Sequence, residues 1–255
     1  MVFRKSKTEF NPSTIKIIIG NSEIRIVDKF KYLGVILDET LSFESHYKHV
    51  VSKISYTIGI IEYLKRLLTQ EAFVLLLNSY VLSNFDYCLT SWAYASKCKL
   101  DFLQHKVDRL LMSYFYPRFT NKSKHYNLSS YNYDTNTLNK LYDRCNIFSI
   151  HERLEFYTIK QTYQIVHHNA APDYLRSILK VKQRTRASKY DGMLEKISLR
   201  TTFAKNSFID NAVNYWNTMI QSKLVKISNK SYEFYKNLSQ YVIRSRYYNN
   251  PFVYY

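Results

Sequence analysis

Paired acidic residues are the first candidates for catalysis, because two-metal nucleotidyl transfer requires at least two convergent carboxylates. The sequence contains no Asp-Asp pair, and Asp38–Glu39 is its one adjacent acidic pair. This pair lies between an apolar run and a helical pattern, a position where Asp and Thr side chains commonly cap a helix. We therefore interpret Asp38 and Thr40 as capping residues and predict no catalytic residue in the chain.

Histidine and cysteine are also poorly spaced for a metal site. A zinc site needs four ligands that close a tetrahedron, but Cys88 and Cys98 are ten residues apart and His105 follows seven residues later. His46 and His49 can share a helix face, although no third ligand is near them in the sequence. With four glycines, the chain also lacks a phosphate-binding glycine loop. We predict no bound metal or cofactor.

The charge balance favours a polyanionic partner. Lys and Arg number 37 against 20 Asp and Glu, which gives a net charge of +17. Such a charge favours nucleic acid before a membrane surface, so we predict contacts with RNA and DNA backbones. An alternative stays open, because the chain is rich in the residues of A/T-rich codons and genome composition can account for part of the charge.

Aromatic residues are interleaved with basic ones at 114–118 and at 244–248. Aromatic rings of this kind can stack on bases while neighbouring Arg side chains pair with phosphates. The chain has 25 Tyr residues in all, however, so a general overuse of Tyr explains the two strings equally well.

The elements that must position these residues begin with three short β-rich runs at 14–19, 23–27 and 30–37, whose tight connections predict a small antiparallel sheet. From Leu41 to Leu68, apolar residues recur every three or four positions, which predicts an amphipathic helix of about 24 residues. Further helical patterns follow at 71–80, 99–116, 138–147, 150–168, 171–178, 204–220 and 231–245. We therefore predict a mainly α protein with a small N-terminal antiparallel β-sheet (α+β) and two successive helical units.

Two groups of basic residues are candidates for contacts with phosphates. The spacing of Lys48 and Arg66 places them on one side of a helix with 3.6 residues per turn. The group on the long helix comprises Lys48, Lys53, Lys65 and Arg66. The group in the basic stretch 180–200 comprises Lys182, Arg184 and Arg186.

A polar stretch at 119–135, rich in Asn and Ser, is predicted to be a linker. It divides the chain into a β-hairpin region at 1–40, a helical domain at 41–118 and a C-terminal helical domain at 136–255. Three cysteines provide no disulfide framework, which favours a reducing compartment, nuclear or cytoplasmic. No apolar run approaches the ~18 residues of a membrane span, so we predict no membrane partner.

The string Phe-Lys-Tyr-Leu-Gly-Val-Ile-Leu-Asp at 30–38 resembles the Lys-Tyr-Leu-Gly-Val/Ile-x-Leu-Asp signature of reverse transcriptases from non-LTR (LINE, Jockey-like) retrotransposons. Residues 41–43 with His46 and Lys53 are similar to the Leu-x-Trp…His…Lys at the head of that family's thumb. Later segments resemble the family in the same order: 85–88 with Trp92, 100–104, 172–175, 200–201, 207–208 and 216–217.

The resemblance implies a primer-grip hairpin, a helical thumb at 41–118 and a trailing helical region of an RNA-directed DNA polymerase. It places four residues nearest the primer, with ordinary hairpin packing as the open alternative: Lys31, Tyr32, Leu33 and Gly34. The catalytic palm with its magnesium ions, and the fingers, would precede residue 1. The chain is then predicted to be inactive as a polymerase on its own, with that missing part as a partner.

Two other hypotheses remain open. The chain can be a free-standing basic module that binds nucleic acid. It can also be the remnant of an open reading frame without a selected function.

Overall fold

The chain is mainly helical, with two small antiparallel β-sheets near its N-terminus. A computed structural model describes residues 1, 3, 16–117, 134–167, 171–182, 191–228 and 230–248. The predicted fold class, mainly α with a small β part, is confirmed.

Two hairpins form the β part. The apolar run at 30–37 is not the single strand that its composition predicts, because Leu33 and Gly34 make a turn within it. Both residues have positive φ, 44° and 86°, as the two central residues of a type I′ hairpin turn require. The paired strands are β1 (Ile17–Ile19) with β2 (Ser22–Ile24), and β3 (Lys29–Tyr32) with β4 (Val35–Asp38).

Helices make up most of the remaining described chain. A π-helical turn at Leu77–Leu82 continues the helix at Gln70–Leu76, and a 3₁₀ turn at Ala93–Ala95 follows the helix at Leu89–Trp92. The longest helix ends at Leu64, before the predicted end at Leu68. The helices are α1 (Glu44–Leu64), α2 (Gln70–Leu76), α3 (Ser83–Asp86), α4 (Leu89–Trp92), α5 (Lys97–Phe115), α6 (Thr135–Cys145), α7 (Ile150–His167), α8 (Asp173–Ile178), α9 (Thr202–Lys205), α10 (Phe208–Ser222) and α11 (Ser231–Tyr248).

The first hydrophobic core lies where α1, α2 and α5 meet. Ile54 of α1, Phe73 of α2 and Leu103 of α5 have no exposed surface, and burial of one such side chain contributes about 1.5–3 kcal/mol. His46 of α1 is buried together with four residues that belong to the apolar pattern of the sequence: Val50, Ile54, Ile58 and Ile61.

The second core contains α10, α11 and the C-terminal part of α7. The Tyr163 ring stacks on Phe234 with 4.1 Å between centroids, and Trp216 lies beside them. Helix α7 contributes residues through Leu154 to the first core and residues from Ile159 to the second. The two cores therefore meet within one continuous helix.

Helix α6 also packs into the first core, through Leu141, Tyr142 and Cys145. The predicted linker at 119–135 lies almost entirely outside the described residues, and the domain boundaries stay predictions. Among the residues that are described, the change from one core to the other falls inside α7.

Within the described ranges, no single helix is long and apolar enough to cross a membrane. One bent pair, Gln70–Asp86 and Leu89–Ala95, meets that criterion by length and composition, with a bend of 46°. Phe73, Leu77 and Phe85 of this pair have no exposed surface, because they belong to the first core.

Candidate nucleic-acid interface

The four residues predicted nearest the primer lie at the tip of the β3–β4 hairpin. Lys31, Tyr32, Leu33 and Gly34 are all exposed. Strand β4 behind them is half buried and packs against α1. The hairpin therefore presents a cation, an aromatic ring and an apolar side chain to solvent from a base that is held in the protein.

Tyr87 fastens the turn of this hairpin to the helical body. Its hydroxyl donates a hydrogen bond to the Leu33 carbonyl. A Cβ at position 34 would lie 3.1 Å from Cε1 of the Tyr87 ring, and Gly34 has a φ of +86°. Glycine is thus required twice at this position, for the backbone conformation and for the close approach of the ring.

Asp38 organises the loop between β4 and α1. Its carboxylate accepts hydrogen bonds from the Thr40 hydroxyl at 2.7 Å and from the Ser42 backbone N–H at 2.9 Å. Burial opposes the charge of this carboxylate, but the hydrogen bonds from Thr40 and Ser42 outweigh it and lower the pKa of Asp38. Asp38 therefore caps the loop rather than the first turn of α1, since the Ser42 hydroxyl accepts from Glu44 N–H at 3.3 Å.

His46 has a structural role at the start of α1. Its Nδ1 accepts a hydrogen bond from the Ile36 backbone N–H at 3.4 Å, and its ring meets the Trp92 ring edge-on at 5.4 Å. Burial, together with the charge of His49, lowers the pKa of His46. His46 is buried while His49 is exposed, so the two do not present a shared site. Within the described residues, no group of three or more His, Cys, Asp or Glu is placed to hold a metal ion.

The structure separates the four basic residues predicted on the long helix. Lys65 Nζ lies 2.5 Å from the Glu62 carboxylate and is only 20% exposed, and Glu62 also accepts from the Ser113 hydroxyl at 2.5 Å. Lys48 is exposed and lies 3.4 Å from Glu44. Lys65 is thus held in the protein, whereas Lys48 faces solvent with one weak partner.

Lys53 and Arg66 are the two cations of this group most available to a ligand. Both are exposed, and within the described residues neither has a carboxylate within 4.0 Å. Because α1 ends at Leu64, Arg66 lies in the turn after the helix. The spacing of 3.6 residues per turn therefore does not fix its direction relative to Lys48, as the sequence analysis assumed.

Two exposed tyrosines on α1 complete this surface, and the sequence analysis missed them. Tyr56 is 76% exposed and Tyr63 is 86% exposed. At about 100° per residue, both lie in the arc between Lys48 and Lys53. We call Lys48, His49, Lys53, Tyr56, Ile60 and Tyr63 the outer face of α1. The seven-residue spacing of Tyr56 and Tyr63 could have indicated that the two rings share one side of the helix. Tyr is so frequent in this chain, however, that the pair did not stand out.

The second predicted basic group is only partly described. Lys182 is exposed, and its backbone N–H donates to the Met193 carbonyl at 2.7 Å in a short antiparallel pairing. Asn217 holds the facing strand by accepting from Leu194 N–H at 2.8 Å and donating to its carbonyl at 3.0 Å. Arg184 and Arg186 lie outside the described residues.

Several rings and cations in the two interleaved strings serve packing instead. Tyr114 stacks on Phe73 at 3.9 Å and donates a hydrogen bond to the Leu68 carbonyl at 3.0 Å. Arg246 pairs with Glu152 at 2.7 Å and also with Asp143. These contacts favour the structural interpretation of both strings over base stacking.

Two polar contacts connect segments of the resemblance to α7. Arg153 Nη1 donates to both carboxylate oxygens of Asp86 at 2.8 Å, and its Nη2 donates to the Asn78 side chain at 3.1 Å. Gln104 accepts from the Ile150 backbone N–H at 2.7 Å. The segments at 85–88 and 100–104 are therefore fixed to the helix that links the two cores.

A cleft of about 1360 Å³ opens between the regions of the two cores. Its walls include the loop at 40–43, the start of α5, and parts of α7 and α10. Among the described residues that line it, Lys99 is the one charged side chain, and it is paired with Glu44. The cleft thus adds no free cation to the basic surface of α1.

Comparisons with known proteins found no match for this chain among family models, curated proteins or solved structures.

Proposed function

We propose that these 255 residues are the C-terminal part of an RNA-directed DNA polymerase of a non-LTR retrotransposon, and that they hold the backbone of the template–primer. One observation carries the proposal. The residues that resemble the primer grip form a hairpin whose tip is exposed, while Tyr87 fastens that tip to the helical body. Leu33 at this tip is 72% exposed, so its apolar side chain is available to a ligand.

The charge distribution on α1 favours the same role. The acidic residues of this helix are Glu44 and Glu62, and each lies within ion-pair distance of a lysine. The outer face therefore carries the uncompensated positive charge of Lys53, with Arg66 in the turn beyond. Phosphate contacts of this kind bind without regard to sequence and release counterions.

The β1–β2 hairpin favours a part of a larger polymerase over a free-standing module. Ile17, Ile18, Ile19 and Ile24 are all exposed, although a hairpin of two short strands is marginal in water without packing. A further domain of the same polymerase would bury this apolar surface. In this proposal, magnesium chemistry belongs to the palm of the larger polymerase.

The double variant Lys53→Ala with Arg66→Ala tests the proposal. With two phosphate contacts removed, the slope of log K against log salt on a template–primer should become about two units less steep. The matched control is Lys226→Ala with Lys236→Ala, which removes the same charge from two exposed positions in the C-terminal region. An unchanged slope in the first variant, or an equal change in both, would contradict contact at α1.

A further inference from the structure

The outer face of α1 has a chemical character that charge alone does not explain. Tyr56 and Tyr63 are separated by two helical turns, about 10.5 Å along the axis. Their exposed fractions, 76% and 86%, are high for side chains that are mostly ring. Within the described residues, neither ring contacts another aromatic group or a cation. Both rings are thus largely exposed to solvent and available to a ligand.

The surroundings of these rings are cationic. Viewed down the helix axis at about 100° per residue, Lys48 and Lys53 flank the two tyrosines. His49 and Ile60 lie in the same arc between the two lysines. The two acidic residues of α1 are both paired: Glu62 with Lys65, and Glu44 with Lys99 and, at the edge of the outer face, with Lys48 at 3.4 Å. A ligand on this face therefore meets positive charge beside flat aromatic surfaces.

We propose that the outer face of α1 binds a single strand of RNA or DNA, with one base stacked on Tyr56 and another on Tyr63. The inference rests on the proposed function for its charge contacts and extends it by naming the form of nucleic acid. Positive grooves with aromatic platforms bind single strands because every unpaired base offers a π-face. Paired bases in a duplex are stacked on each other and cannot cover rings that stand 10.5 Å apart on the outside of a helix.

The spacing of the two rings suits a strand that runs along the helix. About 10.5 Å separates them, and one strand of B-form DNA advances about 3.4 Å per nucleotide. A strand with that advance brings bases three steps apart to the two rings. Lys53 precedes Tyr56 by one turn and is placed to meet the phosphate of an adjoining nucleotide.

The experiment compares binding of a 12-nucleotide poly(dT) with binding of an RNA–DNA duplex, for the full chain and for paired variants. The double variant Tyr56→Ala with Tyr63→Ala should lose at least about twentyfold in affinity for the single strand. Its affinity for the duplex should change less than threefold. The double variant Tyr56→Phe with Tyr63→Phe keeps both rings and should bind the single strand as tightly as the parent.

A matched control separates stacking from a general loss of tyrosine. Tyr174 and Tyr232 are 65% and 78% exposed elsewhere in the chain, and Tyr174→Ala with Tyr232→Ala should leave both affinities unchanged. Far-UV circular dichroism and the urea midpoint establish that each variant is folded. A strand with 2-aminopurine in place of one base adds a direct signal, since stacking on tyrosine should quench its fluorescence in the parent and not in the Ala variant.

Four results would overturn the inference. In the first, the Ala variant binds the single strand as tightly as the parent. In the second, the Phe variant loses as much single-strand affinity as the Ala variant. In the third, the Ala variant loses the same affinity for the duplex as for the single strand. The fourth is sedimentation that shows a dimer which the Ala variant abolishes while single-strand affinity is kept, because the face then pairs two copies. In each case a retained salt-dependent duplex affinity leaves the proposed function standing. A parent that binds neither ligand refutes both.

Discussion

Buried carboxyl groups show how individual residues set the conditions under which this fold is stable. Glu155 of α7 is buried against α11, where Tyr241 hydrogen-bonds to it. Burial, with a further contribution from Glu152, raises the pKa of Glu155 from 4.5 to about 7. Burial and the neighbouring Glu155 likewise raise the pKa of Tyr241. The protonated carboxyl is therefore the form that suits the folded state.

Stability should fall as the pH rises from about 4.5 to 7, because the folded protein retains a proton that the unfolded chain has released. The protonated Glu155 contributes about 3 kcal/mol to the free energy of unfolding below pH 4.5. This contribution is lost as the pH rises through 7. Urea unfolding at several pH values measures this dependence. The neutral variant Glu155→Gln should show a flatter profile over the same range, and an unaltered profile in that variant would argue against the assignment.

The outer tyrosines show what residue-level prediction missed. Helical periodicity identified the buried positions of α1, such as Ile54 and Ile58, because apolar residues there repeat toward the core. The same periodicity places Tyr56 and Tyr63 at one angle on the helix, but a tyrosine suits a buried or an exposed position equally well, so the sequence did not single them out. Only the packing of α1 shows that both rings face solvent.

At the scale of elements, helices were predictable from long apolar patterns and short elements were not. The helices at 97–115, 150–167 and 231–248 follow predicted ones closely. The apolar pattern did not reveal the hairpin at 29–38, because its turn residues Leu33 and Gly34 lie within a run that reads as one strand. The π-helical turn at Leu77–Leu82 was not predicted, since the apolar run at 71–80 reads as continuous helix.

The contact between Arg153 and Asp86 joins two such elements, α7 and α3. Arg153→Ala should reduce the free energy of unfolding by about 2–3 kcal/mol, since it leaves a partly buried carboxylate without its bidentate partner. The side chains are 12% and 30% exposed, so solvent screens the pair only in part. Arg153→Lys keeps the charge but cannot reach Asp86 and Asn78 with separate nitrogens as the guanidinium does, and should recover less than half of this loss. Chemical unfolding that places Arg153→Ala within 0.5 kcal/mol of the parent would show that the contact adds little.

At the scale of the whole molecule, the continuous helix α7 couples the two cores. Its N-terminal residues pack with α5 and α6, and its C-terminal residues pack with α10 and α11. The linker at 119–135 was predicted from its polar composition and stays a prediction, since composition does not show which helices pack together. That α6 joins the first core follows from contacts such as the hydrogen bond from Tyr142 to Asp108 at 2.6 Å.

Limited trypsin digestion tests this coupling. Cleavage should begin at Lys122 or Lys124 in the polar stretch, because exposed polar segments are cut first. The two fragments should stay together in native gel filtration, since α6 and α7 complete the first core from the other side of the cut. Fragments that separate under native conditions, or cleavage inside α1 before residues 122 and 124, would contradict this account.

The central claim is that the basic surface around α1 holds the backbone of a template–primer, and a salt titration tests it most directly. Affinity of the full chain for a labelled RNA–DNA template–primer is measured between about 50 and 200 mM salt, and several phosphate contacts predict a loss of roughly a hundredfold or more. Binding should be independent of sequence. No measurable binding at about 50 mM salt, or an affinity that salt does not change, would contradict the claim and leave the +17 charge as a product of genome composition.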